Sequence, residues 1–235
     1  MPQRTDANEI RVLLRRDPVW SVYALGDLEP HIFPKTQWFG PDLTLLLHDF
    51  GTSILFAMGT GSVGEALDHV TWPVHLQVQT DALEEIARHA LVTDIRSMWR
   101  MSWSARPPRL DRPAATRLGA TDVEDLRLLY ADGDGSGEAP DFFFPSMVTD
   151  GVFFGIYYRE ALVAAAGTHL LSRREDVAAI GNVYTRRDHR GHGLGRRVMC
   201  ALLEALTSVD TIGLNVRVDN QAAIRVYESL GFVRH

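Results

Sequence analysis

The chain of 235 residues contains one cysteine, Cys200, which excludes an intramolecular disulfide and fits a reducing compartment. Surplus basic charge is missing too. Lys and Arg number 24 against 30 Asp and Glu, for a formal net charge of −6. A general nucleic-acid binder needs spare cations to neutralise phosphates, so nucleic acid is not an expected partner. No apolar run approaches the length of a membrane span, and Met1 to Asp6 lead into a charged stretch, not an apolar signal region. No membrane partner is expected, and the expected location is cytoplasmic. The nine histidines lack paired ligand spacing, and no metal is expected. Asp132-Gly133-Asp134-Gly135-Ser136-Gly137 imitates the start of a calcium loop, but Phe143 stands where a bidentate glutamate is required. Core-forming residues are plentiful: 46% of the chain is hydrophobic, enough for one large domain or two small ones.

The segment Ala105-Arg106-Pro107-Pro108-Arg109-Leu110-Asp111-Arg112-Pro113 is extended by composition. It divides the chain into an N-terminal α/β domain over 1–105, a linker over 106–113 and a C-terminal domain over 114–235. In the first part, Ile10, Leu13 and Leu14 mark a short helix, and Leu43–Leu47 and Ser53–Met58 read as strands of a hairpin. Ser62–Val70 reads as a helix, Val74–Val78 as a strand, Asp81 as the cap of a helix with Glu84 in the box position, and Arg96–Trp103 as a final strand. The expected order is β-β-α-β-α-β. In the second part, a strand at Ala115–Leu118 precedes a helix boxed by Thr121 and Glu124. Val152–Tyr158 and Leu162–Leu171 pair through Arg159-Glu160. Further strands are read around Val177–Ile180 and Thr211–Val218, a helix over Asn220–Leu230 that stops at Gly231, and a last strand from Phe232.

The most informative stretch runs from Val183 to Gly195. It is a strand end, a basic turn holding Gly191, Gly193 and Gly195, and a helix start marked by Leu194, Val198, Leu202 and Leu206. Such a start offers unpaired N–H groups and the positive end of the helix dipole, and Arg190 adds a fixed charge. This is the chemistry of a phosphate or pyrophosphate site. A dinucleotide fingerprint fails because Arg196 or Val198 stands at its third glycine, and a P-loop fails for want of Gly-Lys-Ser/Thr.

One helix and one strand later, Asn220, Ala223 or Ile224, and Tyr227 lie about one helical face apart, ahead of Gly231-Phe232. Together, Arg-Gly-x-Gly-x-Gly and Asn-x-x-Ala-x-x-x-Tyr-x-x-x-Gly-Phe resemble the two signature motifs of the GNAT superfamily of N-acetyltransferases. A strand ending in Val183-Tyr184-Thr185 looks closest to its glycine N-acyltransferase-like branch. The resemblance implies a mixed α/β sheet of GNAT topology in the C-terminal half. The similar element order of the first half suggests a degenerate copy that shapes the acceptor pocket. The implied reaction transfers an acetyl group, or a longer acyl group, from acetyl-CoA to a primary amine by direct attack in a ternary complex.

By the same resemblance, Arg190, Gly191, His192, Gly193, Leu194, Gly195 and Arg196 would hold the pyrophosphate. Val183 and Thr185 would pair with the pantetheine arm, with Tyr184 between them, and Asn220 and Ala223 would line its other side. Tyr227 stands at the general-acid position, and a phenol with a reference pKa near 10 is protonated at neutral pH and can donate to a leaving thiolate. The strand before the turn reads Ile180-Gly181-Asn182-Val183, without the family's frequent glutamate. His169, Glu138 and Asp141 are candidate bases, and a water chain or an amine that enters neutral is an alternative. The missing carboxylate also motivates a rival reading, a non-catalytic acyl-CoA-binding or sensor protein. Amino acid, polyamine, antibiotic and protein N-terminus all remain open as acceptors. The short stretch after Phe232 leaves open whether an edge strand suffices or whether a partner, as in a homodimer, or the other half completes the sheet.

Overall fold

The computed structural model describes residues 3–49, 51–104, 115–140 and 142–235. They fall into two compact units, Met1–Arg96 and Ser97–His235. The division lies upstream of the expected boundary at 105. The expected linker over 106–113 lies outside the described residues.

The first unit runs α1 (Ala7–Leu14), α2 (Val22–Gly26), β1 (Thr36–Phe39), β2 (Thr44–Asp49), β3 (Thr52–Ala57), α3 (Val63–Leu67), β4 (Val74–Gln77) and α4 (Leu83–His89). Its sheet has the order β1-β2-β3-β4. The first two pairings are antiparallel and the third, made across α3, is parallel. Phe39, Leu46, Leu55, Val63, Ala66, Leu67 and Ile86 form a core between sheet and helices. Two short elements absent from the sequence reading, α2 and β1, appear here. The expected helix over Ser62–Val70 contracts to Val63–Leu67, and α4 has no side-chain cap, because a single 3-10 turn, Thr80–Ala82, leads into it. Asp81 therefore lies inside a turn and not at a helix boundary.

The second unit runs β5 (Met98–Trp103), β6 (Thr116–Leu118), α5 (Val123–Ala131), α6 (Pro145–Asp150), β7 (Phe153–Tyr158), β8 (Ala161–Ser172), β9 (Val177–Thr185), α7 (Leu194–Ala205), β10 (Thr211–Arg217), α8 (Gln221–Ser229) and β11 (Phe232–Arg234). The sheet order is β11-β5-β10-β9-β8-β7-β6. One face buries Met101, Trp103, Ile180, Val198, Leu202, Leu214, Tyr227 and Phe232, together with α7 and α8. The other buries Leu126, Leu129, Tyr130, Val148, Phe153 and Tyr184 beneath α5 and α6. Arg159 and Glu160 turn the β7–β8 hairpin, both at positive φ (48° and 68°), as a tight turn matched to strand twist requires. Gly231 takes the left-handed conformation expected of a helix stop, φ 93°. The expected Thr121–Glu124 box is replaced: Asp122 accepts the Gly119 N–H at 2.8 Å and α5 carries no side-chain cap. Among the described residues no helix is long and apolar enough to cross a membrane.

The strand read as the end of the first half belongs to the second unit's sheet. Met98–Trp103 lies between β10 and β11, antiparallel to both, with Trp103 opposite Ile212 on one side and Phe232 on the other. Trp103 Nε1 also donates to the Leu230 carbonyl at 2.9 Å. The short β11 is thus joined to the sheet by β5, a strand made before the proline-rich segment. The two units also repeat one connection pattern. In each, three antiparallel strands are followed by a helix, a strand parallel to the third, and a second helix.

Candidate functional site

β9 delivers the chain to a 3-10 turn, Arg187–His189, and then to Arg190 in extended geometry. Gly191 (φ 79°) and Gly193 (φ 72°) follow, and Gly193 is the residue before α7. These two positions need glycine because their backbone is left-handed. Gly195 serves a different purpose: a Cβ there would lie 3.4 Å from Thr185 Oγ1, so the helix start presses on the strand end. The first bond of α7 runs from Arg197 N–H to the Gly193 carbonyl at 3.1 Å. The N–H groups of Leu194, Gly195 and Arg196 therefore lie ahead of the helix ladder, at its positive end. His192 Nδ1 lies 3.3 Å from the His189 carbonyl, and His189 Nδ1 2.6 Å from Asp188. Both histidines belong to the turn's own scaffold.

Beside this turn the sheet parts. β9 and β10 pair in parallel from Val177 and Thr211 only as far as Ile180 and Leu214. β9 continues to Thr185 and β10 to Arg217, so Gly181–Thr185 and Asn215–Arg217 have no register with each other. The opening begins at a bulge. Ala165 faces Tyr184 and Gly167 faces Gly181, which sets the single residue Ala166 against Asn182 and Val183. Asn182 takes φ 53°. Its carbonyl accepts the Tyr130 hydroxyl at 3.0 Å and its Nδ2 approaches Met147 Sδ at 3.5 Å. Its Oδ1 is buried with no hydrogen-bond partner among the described residues. A bulge withdraws backbone groups from the ladder. Val183 packs at the border of the α7-side core, and the Tyr184 ring is buried under α5.

On α8, Asn220 caps the helix: its Oδ1 accepts the Ala223 N–H at 3.1 Å. Ala223 packs against the core. Tyr227, 7% exposed, has its ring centre 5.7 Å from that of Phe232. Burial pushes its phenol above the ordinary tyrosine range.

The segment between α5 and α6 lies on the turn. Tyr184 OH donates to Asp132 at 2.8 Å and the Arg187 N–H to the same Oδ2 at 3.0 Å. Partial burial alone would raise the Asp132 carboxyl, but these bonds and the Arg187 and Arg186 charges prevail and hold it below the usual carboxylate range. Asp132 also borders an open hollow of about 590 Å³ with Asp125, Leu128, Arg159, Glu160 and Arg186. Glu138 forms a two-pronged ion pair with Arg190, 3.1 and 3.2 Å. The Arg190 hydrogen bonds keep its carboxyl low and deprotonated, but they also occupy it. The His169 ring fills the space where a Gly181 Cβ would stand. Asp141 lies outside the described residues. Cys200 is buried, and burial pushes its thiol up, which suits a core residue. Asn182 and Tyr130 were not singled out as site residues by the sequence reading. The only local sign of the first is the Gly181-Asn182 pair inside an apolar strand, since a glycine there suggests a bulge.

Residues 121–232 match the family model described as Acetyltransferase (GNAT) family. A mycothiol acetyltransferase of Corynebacterium aurimucosum is 40% identical over 73 residues, 28% of this chain and 24% of that protein. The [ribosomal protein bS18]-alanine N-acetyltransferase of Escherichia coli is 42% identical over 59 residues, 24% of this chain and 40% of that protein. The matches thus span less than half the length of these relatives. Among solved structures, a Drosophila protein superposes with a TM-score of 0.67 at 14% identity, covering 99% of this chain and 95% of its own. A GCN5-related N-acetyltransferase from Kribbella flavida superposes with a TM-score of 0.59 at 15% identity, covering 91% of each. At such identities the likeness speaks for the fold, and it extends over both units. Residues 121–232 are therefore similar to the GNAT acetyltransferase family, on a mixed α/β fold whose structural neighbours extend over both units.

Proposed function

We propose that this protein is an N-acetyltransferase that moves an acetyl group from acetyl-CoA to a primary amine by direct attack in a ternary complex. The observation that carries the reading is the parting of β9 from β10 beside the arginine–glycine turn. An extended ligand with amides along its length and a pyrophosphate at one end fits that combination. The unpartnered Asn182 Oδ1 at the start of the opening supports a polar occupant there.

In this reading the N–H groups of Gly191 to Arg196, with Arg190, take the pyrophosphate. Val183 and Thr185 pair with the pantetheine amides, Tyr184 stands between them, and Asn220 and Ala223 border the arm. The amine nitrogen bonds to the thioester carbonyl carbon, and the oxyanion accepts from an N–H freed at the bulge. As the C–S bond breaks, the sulfur takes the Tyr227 proton, and solvent reprotonates the phenol. The surplus proton on nitrogen leaves to water, or was never present if the amine enters neutral. A cytoplasmic setting accords with the lone, buried Cys200.

The Val183-Tyr184-Thr185 strand end favours the glycine N-acyltransferase-like branch, which brings free amino acids into the acceptor panel. One relative is named for mycothiol and another for the alanine of a ribosomal protein, so small-molecule amines and peptide amino termini belong there too. The first unit reads as a degenerate copy of the same fold. Its strand-to-helix turn has no arginine, and Asp42 accepts the Gly61 N–H there at 2.9 Å. The test is thiol release from acetyl-CoA with amino acids, polyamines, aminoglycosides and an alanine-initiated peptide. Steady release with one class supports the transferase. The pairing of Glu138 with arginine, which occupies that candidate base, favours a second reading: an acyl-CoA sensor, which would bind the donor and release no thiol.

A further inference from the structure

Arg190, the side chain assigned to the donor's pyrophosphate, is already engaged. Its guanidinium meets Glu138 along two parallel bonds, NH1 to Oε1 at 3.1 Å and NH2 to Oε2 at 3.2 Å. Arg187 Nε lies 3.3 Å from the same Oε2. Ser136 Oγ donates to Oε2 at 3.1 Å, and the far end of the Arg187 guanidinium donates to Ser136. The remaining arm of Arg190, Nε, donates to the Thr185 carbonyl at 3.0 Å. That carbonyl is the strand-end acceptor expected to serve the pantetheine. Asp132 fastens the beginning of the same loop to Arg187 N–H and to Tyr184.

A carboxylate held by a guanidinium fork has the geometry by which arginine also takes a phosphate. We propose that Glu138 is an internal stand-in for the donor's pyrophosphate, so that binding acyl-CoA displaces it and Glu138 sets donor affinity. This rests on the reading of the turn as the donor site. The exchange favours the donor, because a pyrophosphate carries more charge than a carboxylate and draws on the helix N–H groups as well. Glu138 and Arg190 are both about 40% exposed, so their pairing is solvent-screened and its loss costs little. Once Arg190 turns to the phosphate, the Thr185 carbonyl is released for the pantetheine, and the far end of the stretch from Gly133 to Glu138 keeps only its contacts with Arg187. A loop held in this way loosens when ligand binds, the reverse of ordinary protection.

The test titrates free CoA into the full chain by calorimetry for wild type, E138Q, E138A, R190A and the double variant E138Q/R190A. Removing the competitor should tighten CoA roughly two- to five-fold in both Glu138 variants. R190A should weaken it by roughly ten-fold, and E138Q should change nothing further in the R190A background. Hydrogen exchange at residues 133–138 should speed up on saturation with CoA. If CoA binds and R190A weakens it, but the Glu138 variants bind CoA no tighter or more weakly, Glu138 merely positions Arg190 and the proposal is overturned. Slower exchange in the loop would overturn it equally. If the wild type fails to bind CoA, the donor-site reading falls first and this proposal falls with it.

Discussion

Burial holds the Tyr227 phenol above its ordinary range, so the side chain carries its proton at neutral pH. Replacing it with phenylalanine removes the proton and leaves the ring. Y227F should lower thiol release by about 10²-fold or more, as loss of a general acid does, with CoA affinity unchanged by calorimetry. Equal turnover in wild type and variant would end the assignment. The glycine turn was legible residue by residue, since a left-handed backbone at Gly191 and Gly193 admits little else. The pairing of Glu138 with Arg190 was not, because 52 residues separate them and no local pattern marks such a contact. The box at Thr121 failed for a related reason. Asp122, one residue on, captured the Gly119 N–H and began a 3-10 turn first.

Strands with a long apolar run and helices with an apolar stripe were placed to within a few residues, as with β8, β10 and α8. Elements of four to six residues, α2, β1 and α6, carry too little periodicity to stand out. The partner of β5 was hidden for another reason. A strand's alternation tells which face it buries, not which strands lie beside it. This makes the choice of boundary testable. A fragment beginning at Ser97 retains β5 and should unfold cooperatively in urea, followed by circular dichroism. One beginning at Ala114 lacks it and should not. Comparable cooperativity in the two would mean that β10 and β11 do not need the intervening strand. Within the full chain, Trp103→Ala removes a buried ring and its bond to Leu230 and should cost about 3–5 kcal/mol. Denaturant midpoints measure it, and a change under 1 kcal/mol, roughly the level of a surface substitution, would contradict the packing.

With the repeated connection pattern, the described residues hold two strand-to-helix turns of equivalent position, and the proposed pyrophosphate site uses the second, which carries Arg190 and the left-handed Gly191 and Gly193. The first unit's turn has Asp42 on its Gly61 N–H, and a carboxylate there repels a second anion. Calorimetry should therefore give one CoA per chain, and a stoichiometry of two would show that the first unit also takes donor. Stability should depend on pH at the alkaline end. Tyr130 and Tyr227 are buried and their phenols are pushed up by burial. Above about pH 10 the unfolded chain loses these protons while the folded chain keeps them. Stability is then full below pH 10 and falls as pH rises beyond it. Urea midpoints from pH 8 to 11 read the effect, and a flat profile would contradict it. The position of β5 has a further consequence, for synthesis. Trp103 leaves the ribosome 127 residues before Leu230, whose carbonyl it holds, an interval on the order of ten seconds at ordinary rates of elongation. Until Thr211–Arg217 emerge, Met101 and Trp103 have no neighbouring strand to pair with. A growing chain that must keep a finished strand waiting is at its most vulnerable to mispairing and chaperone capture just before that partner strand appears.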